Sequence, residues 1–524
     1  MGNLLPAYKK AVIDEITNSI SANLSQYYAF AAFSSNTNNL TADQSFAADW
    51  QLLFGKKLSN TNILPIINNI VWTSNTKYTQ YDNTKNLSNA NFYVVVPPGV
   101  VGGDYVVYKC LNNGGNSYST YRPDQIQASS FSKPDGYTWR YITSISSLTY
   151  DRFATSQYVP LYPNNSIVSS AAINSGIENI VITNQGSGYK SYSYPYVGIG
   201  NIVRSAPNTT VIQIEDYEKS NGPDFYTLNA ILFYNTGNTN QQISSIKQHI
   251  VNASGSFVLL DTAVNTSLIT PSVTQYSIAP KVIFNTDAPN ANSIPQAFVN
   301  INTTSNSIYS ISIINPGSSI SWANVVIQSN NSYPADPNLR ANVYAICPPP
   351  GGHGSSPASE LFVQGLAINF EFDGSENNTI PIETSYSTIG ILKNPYSINS
   401  ASFTKGSQIY STSFSSVLKA NISPSVTFTV GDTVKGSTSN AVGTVVFSNS
   451  SVIYLTGDKY FSNSGETIIS SNGSLSTTMS APSTVGDVYT KDILPLYIQT
   501  FVNSNIVTAR ANNQSESYKM TILI

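Results

Sequence analysis

Beyond Trp72 the chain settles into short runs of alternating or β-branched residues, at 92–96, 105–108, 180–183 and 343–346, punctuated by Asn, Gly, Pro and Ser. A pleated strand sends successive side chains to opposite faces, and the punctuating residues break helices and favour turns. This rhythm, kept over most of 524 residues, commits the chain to many short strands. A single core does not serve such a length, so several domains are expected.

Helical spacing is confined to the start. Val12, Ile13, Ile16, Ile20, Leu24, Tyr27 and Tyr28 recur on one side, with Asp14 and Glu15 on the other, and predict a helix over 8–33. A second helix is expected from Thr41 as N-cap, with Gln44 at the capping-box position, through Phe46, Trp50 and Leu53 to a stop at Gly55. Residues 58–71 are expected to continue with a helical turn around Pro65.

Sliding the chain against itself by 131 residues aligns Ile177, Ile180, Ile182, Asn184, Gly186 and Ser187 with Ile308, Ile311, Ile313, Asn315, Gly317 and Ser318. Val197 and Ile199 follow the first set, and Val325 and Ile327 the second. Each copy reads as a strand, a turn with Gly at positive φ, and a second strand, a hairpin-like unit. Residues 423–480 show four further short strands at even spacing, as in a small barrel or sandwich.

The expected fold is therefore mainly β with an N-terminal helical segment (α+β): a multidomain, β-sandwich-like core with inserted small β modules. Residues 1–170, 340–422 and 481–524 are assigned to the core. Residues 171–339 are read as inserted duplicated β modules and 423–480 as a small inserted barrel or sandwich.

Charge narrows the function. Only 10% of residues are charged, against about 25% in an average globular protein. The net charge is −3 with no basic block to neutralise phosphates, which argues against nucleic acid as a partner. The 41% hydrophobic content favours folding throughout. No 18-residue apolar run and no signal-peptide core are present, so no membrane insertion and folding in a cytoplasm are expected. Sequons such as Asn208-Thr-Thr210 then reflect composition alone.

Candidate chemistry is sparse. His249 and His353 are the two histidines, Cys110 and Cys347 the two cysteines, and no metal-ligand spacing joins them; neither a cofactor nor a disulfide framework is expected. Cys347 and His353, in Cys347-Pro-Pro-Pro-Gly-Gly-His-Gly354 with Glu360 downstream, have the types of a nucleophile and base. The weightier reading is a tight glycine-built path with the imidazole hydrogen-bonded in place. Asp432, Asp458 and Glu466 have the types of a glycosidase pair, although Asp beside Gly or Lys more often forms turns. Tyr27, Tyr28, Tyr192, Tyr194 and Tyr196 suit core or interface filling better than sugar stacking.

Several stretches together carry a family likeness: Tyr8-Lys-Lys-Ala-Val-Ile13, Asn62-Ile-Leu-Pro-Ile-Ile-Asn-Asn-Ile-Val-Trp72, Val107-Tyr-Lys-Cys-Leu111, Lys133-Pro-Asp-Gly-Tyr-Thr-Trp-Arg-Tyr-Ile142 and the segment 153–160. Pro348-Pro-Pro-Gly-Gly-His-Gly354 with Glu360 and Leu361, and a closing run from Gly486-Asp-Val-Tyr489 through Leu494-Pro-Leu-Tyr-Ile498 to Arg510, Gln514, Glu516 and Ile522, complete the order. In that order the chain resembles the baseplate wedge subunit of T-even-type contractile-tailed phages, the gene product eight family, in its longer marine form. The resemblance covers about half of the chain, and residues 170–340 and 423–480 lie outside it. It implies a non-enzymatic virion scaffold in the tail baseplate, assembled in the host cytoplasm. It also implies a homodimer, two copies per wedge, bound to other wedge proteins around the tail tube, with the inserted modules as candidates for host-surface contact. The rival expectations are a receptor- or carbohydrate-binding tail protein and a glycan-cleaving tail enzyme.

Overall fold

The computed structural model describes residues 6–22, 24–33, 51–162, 168, 175–192, 201–216, 222–235, 241–328, 334–376, 381–399, 404–457, 461, 465–484, 498–511 and 513–524. The chain is mainly β, in two compact units. One comprises residues 1–67, 151–160 and 363–524, the other 68–150 and 161–362. Contact thus groups 68–150 with the region read as inserted modules, whereas the sequence had placed 68–150 in the core.

In the first unit a helix, Pro6–Ser21, precedes a five-stranded sheet ordered Ser413–Ser415, Gln51–Lys57, Tyr27–Phe33, Ser385–Lys393, Ile498–Ala509. A four-stranded sheet follows the order Ser515–Leu523, Gly365–Asp373, Ile63–Asn68, Tyr158–Pro160. Phe54 from the first sheet packs edge-on to Phe372 of the second at 4.9 Å between ring centres, a sandwich-type contact. Three helix expectations are corrected here. Tyr27–Phe33 is a strand with every residue buried, paired on both sides, so a continuous apolar run had mimicked the end of a helix. Leu53 and Gly55 lie in the strand Gln51–Lys57, while 41–50 fall outside the described residues. After one 3-10 turn at Asn60–Asn62, Ile63–Asn68 is a strand that includes Pro65.

The same unit contains a closed six-stranded barrel, in the order Leu418–Ser423, Val452–Gly457, Val442–Ser448, Thr433–Gly436, Thr467–Ser470, Ser476–Thr484. Alternate residues, including Ala420, Val434, Val445, Ile453, Ile468 and Met479, fill its interior.

The second unit holds a four-stranded sheet, Tyr93–Val96, Tyr105–Asn113, Tyr137–Ile145, Phe131–Ser132. Its six-stranded sheet runs Val203–Ser205, Val211–Ile214, Gly255–Leu260, Gln242–Asn252, Ala230–Tyr234, Gln275–Ala279. Hydrogen bonds from Val203 N to Thr274 O and from Tyr276 N to Asn201 O, both 2.8 Å, join its two outer strands. A further sheet is ordered Ser307–Asn315, Gln296–Asn302, Lys281–Thr286, Ala323–Gln328, and Asn179–Asn184 pairs with Asn342–Ile346.

The sequence repeat becomes a pseudo-two-fold arrangement rather than two hairpins. Ser307–Asn315 and Ala323–Gln328 lie at opposite edges of their sheet, so the second copy is not a hairpin; the stretch around Val197 and Ile199 lies outside the described residues. The first copy pairs with Asn342–Ile346, beyond residue 339, and the second with Gln296–Asn302. Both turns close alike: Asn184 Oδ1 accepts from Gly186 N and Asn315 Oδ1 from Gly317 N, each at 2.9 Å. The copies then bond reciprocally at the same 131-residue offset. Ile177 N donates to Pro316 O and Ile308 N to Gln185 O; Tyr189 N donates to Asn306 O and Ile320 N to Ser175 O. Ser175 and Asn306, equivalent positions, share the left-handed conformation with φ of 60° and 49°.

Candidate functional site

The second unit buries a chain of five ionisable side chains. Tyr108, Cys110, Trp139 and Tyr141 turn one face of the paired strands Tyr105–Asn113 and Tyr137–Ile145 into an aromatic core. Alternation sends Lys109 and Arg140 to the reverse face, where they stand directly opposite each other. Like charges so placed repel, and each is met by a carboxylate. Lys109 Nζ lies 3.1 Å from Glu360 Oε1, and Arg140 Nη1 2.8 Å from Glu178 Oε1. His353 spans the two carboxylates: Nδ1 contacts Glu360 Oε1, and Nε2 lies 3.7 Å from Glu178 Oε2. All five side chains are buried.

Local sequence sets this path. In the loop before Glu360, Gly351, Gly352 and Gly354 all adopt left-handed φ, 83°, 82° and 75°, a conformation side-chain-bearing residues resist. Gly354 N then donates to Glu360 Oε2 at 2.9 Å, and the one-turn helix Pro357–Glu360 carries the carboxylate inward. Burial pushes the Lys109 ammonium down to about 8 despite Glu360 beside it. Burial alone would raise the Glu360 carboxyl, but Lys109 and His353 together hold it well below the usual carboxylate range. Lys109 Nζ also sits 3.3 Å from the centre of the Tyr81 ring, whose hydroxyl is pushed far up by burial and then by Glu360.

Cys347 and His353 are not the partners of a nucleophile and base. No hydrogen bond joins the thiol to the imidazole, whose Nδ1 contacts Glu360, and burial pushes the Cys347 thiol up to about 11. Sequence reading named His353 and Glu360 but missed Lys109, Arg140 and Glu178. The available signal was a cation inside each of two apolar runs, Val-Val-Tyr-Lys109-Cys-Leu and Tyr-Thr-Trp-Arg140-Tyr-Ile, positions a half-exposed strand would not leave flanked by core residues.

The other histidine lies in the six-stranded sheet. Ser256 Oγ donates to Asp216 Oδ2 at 2.8 Å, and His249 Nε2 is 2.7 Å from the same Oγ. Tyr226 OH donates to Asp216 Oδ1 at 2.7 Å. These are the residue types of a hydrolytic triad in another order: serine stands between histidine and carboxylate, so no base is poised to take its proton and be oriented from behind. The group is buried and ties the paired strands Gln242–Asn252 and Gly255–Leu260 to Asp216, just past Val211–Ile214, and to the turn at Tyr226.

Two of the barrel carboxylates accept from backbone amides. Asp432 Oδ2 accepts from Thr429 N at 3.0 Å, closing its own turn, and Glu466 Oε1 accepts from Thr438 N and Ser439 N at 3.0 and 2.6 Å. Asp458 lies outside the described residues, as do Tyr194 and Tyr196. Tyr27, Tyr28 and Tyr192 are buried, and Tyr28 OH donates to Ser411 O at 2.6 Å. Both cysteines are free thiols. Among the described residues no cluster of three potential metal ligands occurs, and no helix is long and apolar enough to cross a membrane. Comparison of the chain with protein-family models, with curated proteins and with solved structures finds no match.

Proposed function

We propose that the protein is a structural subunit of a phage tail baseplate wedge, holding neighbouring wedge proteins together around the tail tube. The observation that carries this reading is where the resembling stretches meet. Val107-Tyr-Lys-Cys-Leu111 contributes Lys109, Lys133-Pro-Asp-Gly-Tyr-Thr-Trp-Arg-Tyr-Ile142 contributes Arg140, and the Pro-Gly loop and its sequel contribute His353 and Glu360 to one buried ion chain. In the first unit the closing stretch does likewise: Arg510 Nε bonds both Glu516 oxygens, at 3.2 and 3.0 Å, and Arg510 Nη2 donates to Gly374 O at 2.7 Å. Segments distant in sequence are thus tied by groups whose chemistry is consumed in holding, which suits a scaffold.

The wedge reading includes a homodimer, the commonest closed assembly of identical chains. With 10% of residues charged, such an interface should be rich in Tyr, Asn and Ser and poor in ion pairs. Sedimentation of the purified chain tests this. A dimer that persists at about 0.5 M salt, where the Debye length is only a few ångströms, is expected. A monomer at micromolar concentration, or a dimer that dissociates as salt rises, contradicts the association claim. Cryo-EM of tails from the producing virus tests the placement: density for the chain outside the baseplate, or none in the particle, refutes it.

A further inference from the structure

His353 can meet its neighbours in only one fully satisfied way. An ionised carboxylate accepts and never donates, so the Nδ1 that contacts Glu360 Oε1 carries a proton. On the other side Nε2 and Glu178 Oε2 face each other at 3.7 Å, both buried and neither with a hydrogen-bond partner. With Nε2 bare, two lone pairs confront each other where burial makes unpaired polar atoms costly. With a proton on Nε2, the same atoms become a cation facing an anion, an ion pair at 3.7 Å.

The geometry points to His353 as an imidazolium clasped between two glutamates, a proton-dependent latch that holds the 347–361 segment against the strands carrying Lys109 and Arg140. Charge then alternates along the whole chain: Lys109 cation, Glu360 anion, His353 cation, Glu178 anion, Arg140 cation. Each contact between successive members is attractive, which offsets the repulsion between Lys109 and Arg140 across the strand pair. Among the described residues, further ionisable groups near the latch include Tyr81, whose ring centre lies 6.0 Å from the imidazole, and the Cys347 thiol at the start of the same loop, both kept neutral by burial, and Asp82 beside Tyr81, which pairs with Lys85 at 2.9 Å. Removing the Nε2 proton leaves one end of the clasp open while Glu360 still holds the other, so alkali loosens the loop and does not detach it. Nothing in this depends on the wedge reading.

Two measurements on the full chain test the latch. The chain has two histidines, so ¹⁵N-histidine labelling gives two sets of ring signals, and either His249→Gln or His353→Gln assigns them. In the folded chain the His353 ring should show both nitrogens protonated, with the Nε2 proton leaving as pH rises. Hydrogen exchange at Gly354, whose amide bonds Glu360, supplies the second. Its protection factor should fall by up to about tenfold per pH unit over the range in which the ring signals show the latch proton leaving, the slope of a one-proton linkage. The fall should be absent in His353→Gln. A ring that never carries both protons in the folded chain overturns the proposal, as does protection at Gly354 that is flat in the wild type or falls equally in the variant. If His353→Gln does not fold, the wild-type ring titration decides alone.

Discussion

Glu360 is the hub of the buried ion chain, and replacing it with glutamine isolates its contribution. The side chain keeps its shape but loses its charge, and one oxygen becomes an NH₂ facing donors. Lys109 Nζ at 3.1 Å, His353 Nδ1 and the Gly354 amide all lose a carboxylate. At 3.1 Å the Lys109–Glu360 attraction is worth about 5 kcal/mol at an effective dielectric of about 20. Breaking a buried pair typically costs about 3–5 kcal/mol, because the surviving charge stays desolvated. Glu360→Gln should therefore destabilise the second unit by roughly 4 kcal/mol. Lys109→Met, which leaves Glu360 with His353 and the amide, should cost roughly 2 kcal/mol. The double variant should cost roughly 3 kcal/mol rather than the sum, since neither charge is then stranded. Urea unfolding followed by tryptophan fluorescence reports on this site through Trp139, the neighbour of Arg140 in sequence. Single losses under about 1 kcal/mol, or strict additivity, would refute the claim that these charges hold one another in place. Acid supplies a cross-check. Glu360 is held below its ordinary value of 4.5, so its stabilisation is present above that pH and is lost as pH falls below it. The gap between wild type and Glu360→Gln should narrow in that direction.

Lys109 has the opposite sign: with the ammonium pushed from 10.5 to about 8, its burial penalty is present below about 8 and relieved as pH climbs towards 10.5. Wild type should gain stability over Lys109→Met in that window, and parallel pH profiles would disprove it. Gly186→Ala and Gly317→Ala should each cost roughly 2–3 kcal/mol in urea melts, for the same reason twice. Both glycines have left-handed φ, and an added Cβ would lie 2.6 Å from Leu339 O in one turn and 2.7 Å from Ser293 O in the other. An effect confined to one of them would contradict the pseudo-two-fold. At Gly365 an added Cβ would fall 1.9 Å from Ile522 O, so Gly365→Ala should push Ser515–Leu523 off its sheet. Exchange at 518–523 should accelerate at least about tenfold, and unchanged protection would show that the strand can shift at no cost.

Much of the β character was legible because strand signals are local. The expected runs at 105–108, 180–183 and 343–346 each fall within an observed strand. The Asn-x-Gly-Ser repeat correctly marked two equivalent turns, since Asn caps the turn and Gly supplies its φ. The four runs noted in 423–480 supply four of the barrel's six strands.

What remained hidden was pairing. Tyr27–Phe33 satisfies helical and strand patterns alike, and only strands on both sides decide that every residue of it is buried. The strand partners of the repeat lie 158 residues away for Asn184 and 19 for Asn315, separations that no periodicity encodes: the register pairs Asn342 with Asn184 and Gln296 with Asn315. The ion chain is the sharpest case. Lys109 and Glu360 are 251 residues apart, and as isolated residues both read as surface charges. The sequence by itself determined alternation, turns and the scarcity of charge, because backbone sterics and side-chain polarity act between near neighbours. Which charge meets which was decided only by the tertiary structure, because a buried cation is tolerable only where folding delivers a carboxylate to it, and that delivery depends on the path of the whole chain.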